Sequence, residues 1–168
     1  VDSVQASDSL RRFDQGFERL LAALRGRDVG ILVTGDHGLI DAPAEQVIEL
    51  ERHPRLQRML VRPLCGERRA AYCYVREEDR AGFEDYVRNE LGESVDLHES
   101  AALLRAGWFG PGPAHPKLAS RIGDYVLLPR GRATVKDWLP GEKRYRQIGV
   151  HGGVSEDEMR VPLILVEA

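Results

Sequence analysis

The 168-residue sequence predicts an α/β fold, and three observations carry that expectation. Residues 9–25 place Leu10, Phe13, Phe17, Leu20, Leu21 and Leu24 on one face at helical spacing. Val29-Gly30-Ile31-Leu32-Val33 follows almost at once as an unbroken apolar run, the pattern of a strand buried on both faces in a parallel sheet. Between residues 69 and 128, strand-like and helix-like patterns alternate, the order that builds a sheet with flanking helices.

Taken in order, Ser7 or Ser9 is expected to cap the first helix and Gly26 to end it. Residues 43–60 read as partly helical through Val47, Ile48, Leu50, Leu56 and Met59, with an interruption at Pro54. Residues 69–75 alternate like a strand. Residues 77–91 carry Phe83, Tyr86, Val87 and Leu91 along one helical side, and Gly92 ends that segment. A short strand at 95–98, a short helix at 99–106, a glycine- and proline-rich loop at 107–116 and a strand at 124–128 follow. Residues 161–166 read as a last buried strand with Pro162 near its start. The expected organisation is a core formed by 1–61 and 130–168, with 62–129 as an inserted α/β subdomain.

Composition narrows the function classes. A formal net charge of −3 gives no electrostatic footprint for a nucleic-acid polymer. No apolar stretch approaches the roughly 20 residues that span a bilayer, so no membrane partner is expected. The N-terminus is polar and acidic, unlike a secretory signal. It begins with Val, as a processed product, an excised domain or part of something longer would. Cys65 and Cys73 match no zinc or redox spacing, and Cys73 reads as a buried free thiol. Low cysteine content leans toward a reducing compartment, such as the cytoplasm.

Two glycine-flanked turns carry potential metal ligands. Thr34-Gly35-Asp36-His37-Gly38 lies just past the first apolar run, where ligands gather in open α/β sheets. Gly35 and Gly38 would let the backbone turn sharply enough for Asp36 and His37 to face one ion. A carboxylate with an imidazole suits Zn²⁺, and also Mn²⁺ or iron. A turn aspartate beside a surface histidine is the competing reading. His151-Gly152-Gly153 is the second turn, followed by Glu158 and the last apolar run.

Together the two turns resemble the alkaline phosphatase superfamily, and within it the type I phosphodiesterase / nucleotide pyrophosphatase family. The first is similar to that family's Asp-His-Gly metal motif. Residues 149–162, Gly-Val-His-Gly-Gly-Val-Ser-Glu-Asp-Glu-Met-Arg-Val-Pro, resemble the C-terminal segment of its bacterial members, and residues 115–124 are also similar to them. The resemblance covers most of the chain and implies the C-terminal portion of an alkaline-phosphatase-like fold. It further implies two divalent metal ions, usually zinc, with Asp36 and His37 on one ion and His151 on the other. An Asp-x-x-x-His motif would complete the second ion, and Asp2 stands where that motif begins. The implied activity is hydrolysis of a small phosphate ester or nucleotide through a Thr or Ser nucleophile and a covalent phospho-enzyme. Alternatives are phosphomonoester, phosphonate or sulfate ester hydrolysis, or a catalytically dead binding domain of the same fold.

Two departures shape the expectation. Ala6 stands where the second ligand of the Asp-x-x-x-His motif belongs, and a methyl group binds no metal. No counterpart of the family's N-terminal half, with its nucleophile, is present. That half is therefore expected to complete the site, and no catalytic nucleophile is assigned.

The remaining candidates each have a plainer reading. Arg52, Arg55, Arg58, Arg62, Arg68 and Arg69 could form a phosphate-binding face or a solvated surface. Trp108 and Phe109 could wall a nucleobase or anchor their loop. His53, His98 and His115 read as surface or loop histidines. Lys143, Arg144 and Arg146 could attract an anionic substrate or stay solvated.

Overall fold

The computed structural model describes residues 3–167. In chain order its main elements are α1 (Val4–Leu24), β1 (Gly30–Thr34), β2 (Ile40–Asp41), β3 (Val47–Glu49), α2 (Pro54–Met59), β4 (Cys65–Glu67) and β5 (Ala70–Cys73). Then come α3 (Arg80–Tyr86), β6 (Val95–Glu99), α4 (Ser100–Arg105), β7 (Tyr125–Pro129), β8 (Thr134–Lys136), β9 (Gly149–Val150), α5 (Glu156–Met159) and β10 (Leu163–Glu167). Short 3-10 turns link several of them, and a π-helical turn, Val87–Leu91, extends α3. The α/β class is as expected.

The largest sheet is antiparallel, in the order β4-β5-β7-β6. It carries the main core. Cys73, Leu127 and Val95 from the strands pack with Phe83, Val87 and Leu91, and with Leu50, Leu56, Met59 and Leu60. Phe83 is fully buried and its ring sits 5.3 Å from Tyr125. Aromatic burial of this size dominates core energetics. Val135 joins the same cluster, because β8 pairs in parallel with β3 and brings it alongside. The opposite face of the sheet holds Leu103, Val126 and Leu128, with Phe109 packed against them.

Several local expectations shift. Pro54 starts α2 rather than interrupting a helix, since a first-turn proline gives up no helical hydrogen bond. The first helix starts earlier than expected: Ser3 is its cap, accepting a hydrogen bond from the Ala6 N–H at 3.1 Å. Ala6 thus lies inside the first turn of α1. The apolar run at 29–33 forms β1, but it pairs antiparallel with β10 instead of sitting in a parallel sheet. Nor is either strand buried on both faces: Leu32 is 63% exposed, Leu163 74% and Leu165 69%. Among the described residues α1 has no buried position, and Leu10 and Phe13 stay in solvent. The helix, β1 and β10 therefore present apolar faces that nothing in the described residues covers.

Two cysteines are free; Cys65 is exposed and Cys73 buried. Among the described residues no helix is long and apolar enough to cross a membrane.

Candidate metal centre

The site is assembled by two residues of β2 and two of β9. Ile40 registers with Val150 and Asp41 with Gly149 in an antiparallel pair, and Ile40, Ala42 and Val150 form a small buried cluster beneath it. The Ala42 N–H extends the pairing by donating to the Ile148 carbonyl at 2.7 Å. This register carries the turn before β2 and the turn after β9 to the same place. The His37 and His151 rings stack there, with centroids 3.8 Å apart and planes within 12°.

Asp36 lies beside them, its Oδ1 3.7 Å from His37 Nε2. Its side chain is 91% exposed, so solvent reaches the carboxylate freely. His37 Nδ1 lies 2.9 Å from the Gly38 carbonyl. A carbonyl only accepts, so Nδ1 carries the proton and Nε2 keeps its lone pair. This is the orientation that a metal-ligating imidazole receives from its backbone partner.

A buried carboxylate fixes both turns. Glu158 is 2% exposed and accepts a fork of hydrogen bonds from Arg69, Nε to Oε1 at 3.0 Å and Nη2 to Oε2 at 2.8 Å. It also accepts from the Gly153 N–H at 2.9 Å and the Ser155 hydroxyl at 2.6 Å. Its own backbone carbonyl accepts from the Gly38 N–H at 2.7 Å. One residue thus ties the His151-Gly152-Gly153 turn to the turn bearing Asp36 and His37. Burial, the largest single influence on Glu158, opposes its ionisation, but the bonds from Arg69, Ser155 and Gly153 together outweigh it and hold its carboxyl below the usual range.

The glycines of these turns serve close approach more than backbone freedom. Neither Gly35 nor Gly38 takes a positive φ. A Cβ at Gly38 would meet the Asp157 carbonyl oxygen at 1.8 Å. Gly152 does take a left-handed φ of 99°, and a Cβ there would press on the Glu67 side chain at 2.7 Å.

Of the expected ligands, the structure brings Asp36, His37 and His151 together, and Asp2 lies outside the described residues. Among the described residues no group of three or more His, Cys, Asp or Glu side chains is arranged to hold an ion unaided. Arg69 is a correction to the sequence reading: it is 2% exposed, not part of a solvated arginine face. Its link to Glu158 had no sequence signal beyond the placement of Glu158 after the second turn. Phe109 is a loop anchor, and Trp108 stands half-exposed beside His98 with rings 5.8 Å apart. His53 is not a free surface group; its Nδ1 lies 3.0 Å from the Tyr86 hydroxyl. His115 Nδ1 accepts from the Lys117 N–H, an arrangement local to its loop.

Comparison with known proteins bears on the family and the fold. The profile of the family described as type I phosphodiesterase / nucleotide pyrophosphatase matches residues 1–154. No curated protein matches the sequence. Among solved structures, murine ectonucleotide pyrophosphatase / phosphodiesterase 5 superposes with a TM-score of 0.70 at 17% identity over 96% of this chain. An inactive variant of that murine protein in complex with AMP gives 0.66 at 18% identity over 96%. Phosphonoacetate hydrolase from Sinorhizobium meliloti, in complex with phosphonoformate, gives 0.61 at 24% identity over 92%. The chain spans 41% of the length of the murine chains and 40% of the bacterial one, and at these identities the likeness establishes the partial alkaline-phosphatase-like fold.

Proposed function

Because this chain belongs to the type I phosphodiesterase / nucleotide pyrophosphatase family, we propose that it forms one wall of a two-metal centre that hydrolyses phosphoric esters, of the phosphodiester or nucleotide pyrophosphate kind. The observation that carries the reading is the stack of His37 on His151 with Asp36 at its edge.

The donor geometry fits the group. Bonds of about 2.0–2.2 Å at tetrahedral angles put two ligand atoms of one zinc ion roughly 3.3–3.5 Å apart. Asp36 Oδ1 and His37 Nε2, at 3.7 Å, are close to that bite. Imidazole lone pairs lie in the ring plane, so two nearly parallel rings 3.8 Å apart do not aim at one point. They suit two neighbouring ions, which in two-metal sites stand about 3.5–4 Å apart. Asp36 and His37 would hold one ion and His151 the other, with Asp2 as its further ligand. When bound, such ions polarise a phosphoryl oxygen and activate an oxygen nucleophile.

The chain's own residues do the positioning. Gly38 donates its proton into α5 and so fixes the direction of His37, while Glu158 holds the Gly153 backbone and so fixes His151. The Gly38 carbonyl keeps the His37 proton on Nδ1. The exposed Asp36 carboxylate leaves the approach open to solvent and substrate. The nucleophile and the rest of the ligand set come from an N-terminal half of the same protein. That half also covers the apolar faces of α1, β1 and β10 in this reading. The four-stranded sheet region, 62–129, is the inserted subdomain. The AMP complex of the murine neighbour supports a nucleotide as the substrate class.

The test, on the full-length protein, combines metal analysis with three substrates: a bis(aryl) phosphate, an aryl phosphate and an aryl sulfate. Fastest turnover of the diester, lost together with bound metal in His151→Ala, supports the reading. Preference for the monoester or sulfate assigns a different ester to the same metals. Ala6 favours a second reading, a binding domain without activity. Less than about one bound ion per chain, with no change on removing His151, would establish it.

A further inference from the structure

The hairpin that joins β4 to β5 reaches the histidine turns. Glu67 registers with Ala70, so Arg68 and Arg69 form its two-residue tip. The Arg68 carbonyl accepts from the Val135 N–H at 2.8 Å, and Arg69 is bound to Glu158. These bonds hold the tip against β8 and α5. Glu67 is thereby pressed on the second turn: a Cβ on Gly152 would lie 2.7 Å from the Glu67 Cβ and 2.9 Å from its Cγ.

The three charges of this hairpin differ in what faces them. Arg69 is buried and neutralised by Glu158. Arg68 lies over the rings of Trp138 and Tyr145, its guanidinium carbon 5.4 and 5.2 Å from their centroids. Glu67, by contrast, is exposed, and among the described residues its carboxylate joins no ion pair or hydrogen bond. Its charge is felt by its neighbour: burial first, and then Glu67, raise the Tyr72 phenol above its ordinary value. About 3.8 Å of chain separates Gly152 from His151, so Glu67 stands within the roughly 10 Å over which exposed charges act at moderate salt.

Phosphoric esters differ in charge at phosphorus. A diester carries one negative charge, and a monoester carries two once its second proton is lost, near about pH 6. A carboxylate on the wall of a site works against an anion in proportion to the anion's charge. We propose that Glu67 is a specificity residue of the metal centre, one that disfavours phosphoryl groups with two negative charges against those with one. The inference rests on the two-metal reading above and locates in this chain a cause for diester preference.

The experiment, on the full-length protein with metal bound, compares an aryl phosphate with the methylphosphonate ester of the same phenol. A methyl group there replaces one oxygen, which keeps the size and removes one charge. At about pH 8, Glu67→Gln should shift the ratio of the two kcat/KM values toward the phosphate by about three- to tenfold, and Glu67→Lys should shift it further. Glu67→Asp, which keeps the charge, should stay closer to wild type. The shift should shrink in about 1 M salt, which an effect of packing alone would not do. Binding gives a second reading: by calorimetry, inorganic phosphate should gain affinity relative to dimethyl phosphate in Glu67→Gln, by about the same factor. An unchanged ratio in both the Gln and Lys variants, with wild type turning over, overturns the proposal and leaves the two-metal reading standing. Loss of bound metal in Glu67→Gln overturns it too, and assigns the carboxylate to the ions. A wild-type protein that neither cleaves these esters nor binds phosphate removes the metal centre, and the role of Glu67 with it.

Discussion

Arg69 and Glu158 meet in a two-pronged ion pair at 2.8 and 3.0 Å although each is 2% exposed, and the Arg69 Nη1 donates to the Ala133 carbonyl at 2.6 Å. The pair joins the start of β5 to α5, and so joins the main sheet to the histidine turns. Breaking a buried pair leaves one charge without compensation, at about 3–5 kcal/mol. Glu158→Gln or Arg69→Met should lower unfolding free energy by that order in denaturant titration. The double change Arg69→Met with Glu158→Gln should cost less than the two single changes summed, because no lone charge remains.

Acid should act through the same carboxylate. Glu158 has its folded-state value depressed, so its stabilising contribution is fully present above the ordinary glutamate range, near about 4.3. It is lost as pH falls through the lower folded value. Thermal melts from pH 6 downward should show a loss of stability below about pH 4 that Glu158→Gln, already uncharged, lacks.

Gly38→Ala should be far worse than an average surface substitution. The added methyl would collide with the Asp157 carbonyl oxygen, which is backbone and cannot rotate away. The turn must move, and with it the Gly38-to-Glu158 hydrogen bond and the His37 ring. Loss of bound metal at unchanged far-UV circular dichroism is the expected result; metal content equal to wild type would show that the turn adapts.

The two thiols should differ sharply. Cys65 is exposed, whereas burial first, aided by Asp124, raises the Cys73 thiol well above its ordinary value. Only the thiolate reacts. A thiol reagent at pH 8 should label Cys65 quickly and Cys73 only after unfolding, as peptide mapping of the labelled chain would reveal.

Much of the layout is readable in the residues, and the misses share a cause. Periodicity finds α1, the 77–91 helical segment and β5, β6 and β7 of the main sheet, because each has a strong local pattern, but not the short edge strand β4. It misplaces the environment of 29–33 and 161–166, because burial depends on what packs over a strand and not on the strand itself. Pro54 misleads for a local reason: the same residue that ends a helix also begins one. In the site, Asp36, His37 and His151 are marked by their glycines and by resemblance. The Arg69–Glu158 pair is not, because it depends on a contact between distant segments, and an arginine amid five others looks solvated until the fold encloses it.

The pairing of β2 with β9 is only two residues long on each strand. It nevertheless closes a loop that contains the whole main sheet. Closure of so large a loop has to be paid for entropically before the contact returns anything, and contacts of this range form late. The histidine stack therefore depends on a closure between distant segments of the chain and not on the local sequence of either turn.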